Sequence, residues 1–473
     1  MNPIAASAPT TPGGSTLLTI GMSFLCYLTA GSAISEIFAS QQGPMVSLLI
    51  SSVCLFCAAI PLLFSRVQSG LRIGRIPLLG IIALLFGLKL GAGILHYLHF
   101  IEPEYFKGAT FYTYLWDFEW IDRSMVLISE HWHVNGLFSA WPADYVSDNK
   151  NQYLLAFMGL NYFVFGAFPM NIVPWNILMG LYTALLVTDI ACEMYAECQP
   201  IRTTFILAIL LPFNWIASFM WRDTTGQFWV VLGVYLLYVT RKKLVWWIVC
   251  VPIAAFLAYS HRQPYLLLII YCSLLYLTLR FARSKYNVIW LFFGGILCVA
   301  AFPALRWLNG TSMARFDDSY KGMYLGGNGS LVIGMPFRVL RGIVGPFPWT
   351  QYFLKVAGYE YQPDDYGEHV LNVALLWVCV PDQWKRWKGS KNIDFLFAFA
   401  AFFFLSGVIA VGIHSSYVSV AMVMLIPLAA YRPPAYWFTM VSLWLLVFVL
   451  LNVTYNVLGL AGGNHIQNIS GGY

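Results

Sequence analysis

The chain has 473 residues, of which 59% are hydrophobic and 10% charged, and its formal net charge is +6. A soluble domain carries about 25% charged residues, so a water-soluble enzyme is excluded. The basic residues sit in scattered short turns, not in one patch, so the charge excess signals membrane topology and not a nucleic-acid partner.

Apolar runs of about 17 to 25 residues recur from Leu17 onward and read as membrane-spanning helices. They are too long for barrel strands, which alternate over about ten residues. The fold class is therefore an all-α polytopic membrane protein, read as a single transmembrane domain over 1–473. The first fifteen residues are polar and hold no Lys or Arg, so the basic region of a secretory signal is missing. Leu17–Phe38 is then a retained first span. Predicted spans fall at about 16–38, 44–65, 76–98, 172–192, 203–221, 224–240, 244–260, 264–280, 286–305, 367–383, 392–413, 416–431 and 435–458.

The segment 151–171 is also apolar, and charge counting decides its place. If it does not span, every short basic turn faces one side: Arg66, Arg72 and Arg75; Arg202; Arg241-Lys242-Lys243; Arg280, Arg283 and Lys285; Lys385, Arg386, Lys388 and Lys391; and Arg432. If it spans, Arg241-Lys242-Lys243 faces outward. The first arrangement obeys the positive-inside rule, so 151–171 is predicted as an interface helix. About thirteen transmembrane helices result, with the N-terminus inside and the C-terminus outside.

Two long outer loops then share the face opposite the basic turns. The first, 99–150, is acidic and carries Glu102, Glu104, Asp117, Glu119, Asp122, Glu130, Asp144 and Asp148. The second, 306–369, is basic and carries Arg306, Arg315, Lys321, Arg338, Arg341 and Lys355. None of the nine cysteines lies in either loop, which excludes a disulfide framework there. Cys54 and Cys57 have CxxC spacing but sit inside an apolar run, where packing is the expected role.

Carboxylates among aromatics at a membrane surface can serve as general bases. Glu102-Pro103-Glu104-Tyr105 and Trp116-Asp117-Phe118-Glu119-Trp120-Ile121-Asp122 fit that pattern, and Glu102, Glu104, Asp117 and Asp122 are the catalytic candidates. Solvating a loop is the plainer role for any one of them. Arg222-Asp223 opens a span, with Asp223 expected as its N-cap and Arg222 as a phosphate ligand. Arg262, in the turn His261-Arg262-Gln263-Pro264-Tyr265, is an outward cation in a short loop and a candidate anion ligand. Arg338 and Arg341 share one helix face at i, i+3 and could grip a phosphate bidentately, and His369 and His414 lie near the same face. Ordinary snorkelling and lipid-headgroup contact are the competing roles for these cations. His131-Trp132-His133 has a spacing that suits a strand and lacks a second ligand pair, so no metal ligands are assigned.

On these segments the chain resembles the GT-C superfamily of integral membrane glycosyltransferases, which use polyprenyl-phosphate-linked sugars. The layout match covers most of the chain. Tyr153–Ala167 followed by Pro174–Cys192 is similar to the family's interface helix and apolar hairpin, and Glu102 and Glu104 match the position of its base. Trp221-Arg222-Asp223, Arg262-Gln263-Pro264-Tyr265 and Pro346-Phe347-Pro348-Trp349 resemble segments of bacterial polysaccharide-assembly membrane proteins. The chain departs from the family in lacking a clean Asp-Asp or Asp-x-Asp pair after the first span and in placing two extra spans before the acidic loop.

The resemblance implies a sugar donor or lipid-linked oligosaccharide on polyprenyl phosphate, a glycan or lipid-linked acceptor, and a bacterial inner membrane with the active face toward the periplasm or exterior. A divalent metal ion stays open as a cofactor, and other glycan-assembly proteins as partners. A close alternative is an O-antigen or exopolysaccharide repeat-unit polymerase or ligase, in which Arg338, Arg341, His369 or His414 would do the work. A transporter of lipid-linked glycans would instead place charges at mid-membrane within an inverted repeat.

Overall fold

A computed structural model describes residues 12–38, 43–68, 75–96, 113–146, 151–195, 197–210 and 222–282, then 374–379, 381–382, 385, 399–400, 403, 415–428, 430 and 432–457. Among these residues the structure is helical and contains no strand. The helices are α1 (Pro12–Ile37), α2 (Pro44–Gln68), α3 (Arg75–His96), α4 (Thr113–Asn135), α5 (Gln152–Phe165) and α6 (Ile172–Met194). They continue as α7 (Pro200–Leu210), α8 (Asp223–Thr240), α9 (Leu244–His261), α10 (Gln263–Ala282), α11 (Ser415–Leu425) and α12 (Pro434–Val457). The predicted spans 286–305 and most of 392–413 lie outside the described residues.

Among the described residues, four segments are long and apolar enough to cross a membrane: Thr16–Ile37, Pro44–Leu62, Pro169–Met194 and Leu244–His261. Their burial separates centre from rim. In α6 78% of the membrane window is buried, against 22% in α1, so α6 is the hub and α1 an outer wall. The exposed faces are apolar stripes at helical spacing: Leu18, Met22 and Leu25 on α1, Leu49, Val53, Phe56 and Ile60 on α2, Val245, Ile248, Val249 and Ile253 on α9. Such continuous apolar surface suits lipid contact and not water. The protein is membrane-embedded on this ground.

The segment predicted as an interface helix forms α5, which has 14 residues. At 1.5 Å per residue it is about 21 Å long, short of the roughly 30 Å hydrocarbon core. It is enclosed by protein along much of its length, with Leu154, Leu155, Met158, Tyr162 and Phe165 buried. Its Phe157 ring meets Phe24 of α1 at 5.5 Å, Trp175 of α6 at 5.0 Å and Trp229 of α8 at 5.4 Å. The helix stops at Gly166, whose φ of +92° suits glycine alone among common residues, and Pro169 opens the 3₁₀ turn that leads into α6.

That turn is buried, so its carbonyls need partners inside the protein. Asn171 supplies them. Its Nδ2 donates to Gly166 O at 3.0 Å and to Phe165 O at 3.3 Å, and also to Ser47 Oγ at 2.6 Å. Ser47 Oγ in turn donates to Phe165 O. Asn161 Nδ2 donates to Asn171 O at 2.7 Å, and Asn161 Oδ1 accepts from Tyr27 at 3.1 Å. Four helical segments are thereby tied around one non-helical corner.

The first long loop is not irregular throughout. Residues 113–135 form α4, so Asp117, Glu119, Asp122 and Glu130 ride on a helix, which the 99–150 loop reading did not anticipate. Helical periodicity also overturns the strand spacing read for His131 and His133. Two residues apart on a helix they point about 200° apart, and both have other contacts: His133 stacks on Phe163 at 4.4 Å and His131 meets Tyr145 edge-on at 5.9 Å.

Replacing Asn171 with Ala removes three side-chain hydrogen bonds at this corner, although Phe165 O keeps the Ser47 hydroxyl and Gly166 O keeps the Phe168 N–H. The expected loss is about 1–3 kcal/mol, seen as a lower thermal midpoint in detergent. Ser52→Ala, which removes only a bond to Leu48 O within the same helix, serves as the control with little change.

Candidate functional site

The site is built where α8 begins and α9 ends. Arg222 holds the N-cap position with no side-chain capping bond, and Asp223 is the first helical residue, so the expected capping role for Asp223 is not what the chain adopts. The Asp223 carboxylate is 2% exposed and accepts from Arg262 Nη2 at 2.8 Å. Its charge also lies at the positive end of the α8 dipole. Arg262 reaches it because α9 stops at His261 and Arg262 is extended (φ −150°, ψ 127°), before α10 starts at Gln263. A single non-helical residue thus turns the chain and swings a guanidinium back to the start of α8.

His261 completes the corner. Its Nε2 lies 3.8 Å from Asp223 Oδ1, beyond hydrogen-bond reach. The ring rests directly on the backbone of Gly226, where an added Cβ would overlap it. Glycine at this position therefore lets α8 and α9 close on the imidazole. Arg222 reaches in another direction, with its Cζ 5.1 Å from the centre of the Trp120 ring on α4. The acid-bearing helix of the first long loop is thereby joined to the Arg222-Asp223 corner. On the opposite side, Trp175 Nε1 donates to Thr225 Oγ1 at 3.1 Å, and Thr225 donates to Asn176 Oδ1 at 3.3 Å, which pins the start of α8 to α6.

Of the sequence candidates, Arg222, Asp223 and Arg262 come together. Asp122 is buried on α4 and accepts from the Tyr162 hydroxyl of α5. Asp117 falls near the start of α4. Glu102, Glu104, Arg338, Arg341, His369 and His414 lie outside the described residues. Cys54 is buried on α2. Among the described residues no group of three His, Cys, Asp or Glu side chains could hold a metal ion.

Two residues of this corner were not singled out from the sequence as ligands. Gln227 is 1% exposed and His261 2%, and neither the Gln227 amide nor either ring nitrogen of His261 has a hydrogen-bond partner. One signal was available: Gln227 follows Asp223 by four residues, on the same helix face, inside an otherwise apolar span.

The other end of α8 has different chemistry. Arg241 pairs with Glu193 at 2.6 Å and lies over the Tyr238 ring at 3.5 Å, while Lys242 stands 3.5 Å from Glu193. Arg432 pairs with Asp382, with Nε at 2.7 Å, and Arg202 donates to the Arg432 carbonyl. These residues belong to the basic turns that charge counting puts on one side.

No protein-family model, no curated protein and no solved structure matches this chain.

Gly226→Ala is expected to destabilise by about 1–3 kcal/mol, because the methyl group and the imidazole compete for one space. His261→Ala in the same chain makes room, so the double variant should unfold at a higher temperature than additivity of the two single losses implies. Strict additivity would show that the ring does not press on Gly226.

Proposed function

We propose that the chain is a membrane glycosyltransferase of GT-C type that moves a sugar from a polyprenyl-phosphate-linked donor to a glycan or lipid-linked acceptor. In this reading it crosses a bacterial inner membrane thirteen times and works at the periplasmic face. The observation that carries the reading is the buried Asp223–Arg262 pair beside Arg222, which is itself stacked on Trp120 of the acid-bearing α4. Two guanidiniums and a helix N-terminus around one carboxylate leave excess positive charge, which suits a phosphate group. The corner also stands at the opposite end of α8 from the basic Arg241-Lys242-Lys243 turn. The 18 residues of α8 span about 27 Å, which fits the hydrocarbon thickness.

The chemistry follows from that placement. The bond between the anomeric carbon and the phosphate oxygen breaks, and its electron pair leaves with the phosphate. Arg222, with Arg262 beside Asp223, stabilises the charge that develops there. The acceptor oxygen bonds to the anomeric carbon from the other side, inverting it, and its proton passes to a carboxylate. Asp122, Asp117, Glu102 and Glu104 are the candidates for that base. Arg338, Arg341 and His369 of the second loop are assigned to the same phosphate or its lipid.

The test is transfer of labelled glycan by purified protein in lipid, with a monophosphate-linked monosaccharide and a pyrophosphate-linked oligosaccharide as alternative donors. The monosaccharide donor should turn over, and Arg222→Ala should lower the rate about 10- to 100-fold, since charge-assisted hydrogen bonds contribute about 1.5–3 kcal/mol. Turnover of the oligosaccharide alone would replace the transferase reading with a polymerase, and turnover of neither would remove the enzyme reading.

A further inference from the structure

Where the hub helix α6 ends, two cysteines six positions apart come into contact. Cys192 stands in the last turn of α6 and Cys198 in the link to α7, with their Sγ atoms 2.8 Å apart. Both are thiols, and both are partly exposed. The sulfurs are within about 1 Å of the bonded disulfide distance, a gap that side-chain rotation can close.

The backbone brings them together. α6 closes at Tyr195, which is extended (φ −122°, ψ 112°) and whose N–H donates to Ala191 O at 2.8 Å. The N–H of Cys198 then donates to Tyr195 O at 3.0 Å, which folds the link back toward the helix end. From the other side α7 holds the link. Thr203 N–H donates to Gln199 O at 2.8 Å, and Thr204 Oγ1 donates to Thr188 Oγ1 of α6 at 3.1 Å. Cys198 Sγ lies 3.4 Å from Thr203 Oγ1. The backbone bonds and the Thr204–Thr188 bond use no sulfur atom, so they can hold the corner in either oxidation state.

Accessibility separates this pair from Cys54 and Cys57. Cys54 is fully buried in α2, out of reach of a soluble oxidant. Cys192 and Cys198 have exposed neighbours in Glu193, Glu197 and Gln199. The corner shares its end of the bundle with the Glu193–Arg241 pair of the basic turns. Charge counting assigns that side to the cytoplasm, where thiols are kept reduced and a disulfide is transient and redox-sensing.

We infer that Cys192 and Cys198 are a redox-modification site, a dithiol that a peroxide converts into a reversible disulfide across the α6–α7 corner. One cysteine attacks the peroxide as a thiolate. Its sulfur takes one oxygen as a sulfenic acid, the O–O bond breaks and a water leaves. The second sulfur displaces that hydroxyl, forms the S–S bond and releases a second water. The two sulfurs together lose two electrons, and one peroxide is reduced to two waters. Glutathione restores both thiols by thiol–disulfide exchange. The inference stands apart from the glycosyltransferase reading.

The experiment treats the full chain in lipid nanodiscs with hydrogen peroxide, alkylates the remaining thiols, and maps each cysteine by peptide mass spectrometry. The segment 192–198 should lose two hydrogens and take up no alkylating reagent, and glutathione should reopen both sites. The link should form about tenfold faster than Cys57 loses its thiol, because its partner is already held in contact. The two-hydrogen loss should vanish in Cys192→Ser and in Cys198→Ser, and its persistence in either would overturn the inference. Full alkylation of both cysteines after Cys57 has been oxidised would also overturn it. So would sulfenic acid on either site without a link, or a link from either to another cysteine or to a second copy of the chain. The wild-type map decides the matter by itself if a serine variant fails to fold.

Discussion

Inside a lipid-facing bundle a buried carbonyl or carboxylate must find its partner in the protein, because the hydrocarbon offers none. The corner between α5 and α6 depends on this. α5 ends at Gly166, and the chain leaves helical geometry before the 3₁₀ turn that leads into α6. One Asn171 amide donates to the Phe165 and Gly166 carbonyls, and Ser47, Asn161 and Tyr27 hold that amide in place. Without this set the corner would lose its side-chain ties to α1 and α2, beside which Phe157 of α5 touches α1, α6 and α8.

The same constraint shapes the α8–α9 corner with charge in place of amide. A buried ion pair is seldom more stable than a well-packed apolar pair, yet removing one member leaves a charge stranded. Asp223 and Arg262 therefore commit the end of α9 to the start of α8. Gly226 lets the helices close, and Trp120 brings α4 to the same place through Arg222. Among the described residues, the ion pairs sit at helix ends: Asp223 with Arg262 at one end of α8, Arg241 with Glu193 at the other, and Arg432 with Asp382 before α12.

Legibility differed from element to element. The bounds of α1, α2, α6, α8 and α9 follow from hydropathy, since a long apolar run in lipid has one backbone solution. The helix at 152–165 was also legible, because the segment 151–171 is apolar and helical in the sequence reading. α4 was not, because its acids and tryptophans mask the apolar stripe of Ile121, Met125, Ile128 and Trp132 that faces the bundle. The same oversight made His131 and His133 look like a strand pair.

The amino-acid sequence by itself determined the all-helical membrane class and the individual candidates Asp122, Arg222, Asp223 and Arg262. Hydropathy and charge act over short stretches of chain, so they can be read from one. Which candidates meet was decided by tertiary structure alone. Asp223 and Arg262 are 39 positions apart, and Asp122 and Tyr162 are 40 apart. Pairings over that distance depend on how helices cross, and on a glycine where an imidazole needs room, neither of which leaves a local pattern. The unserved Gln227 and His261 belong to the same class of fact, since a polar residue in a span shows its lack of partners only when the bundle has closed around it.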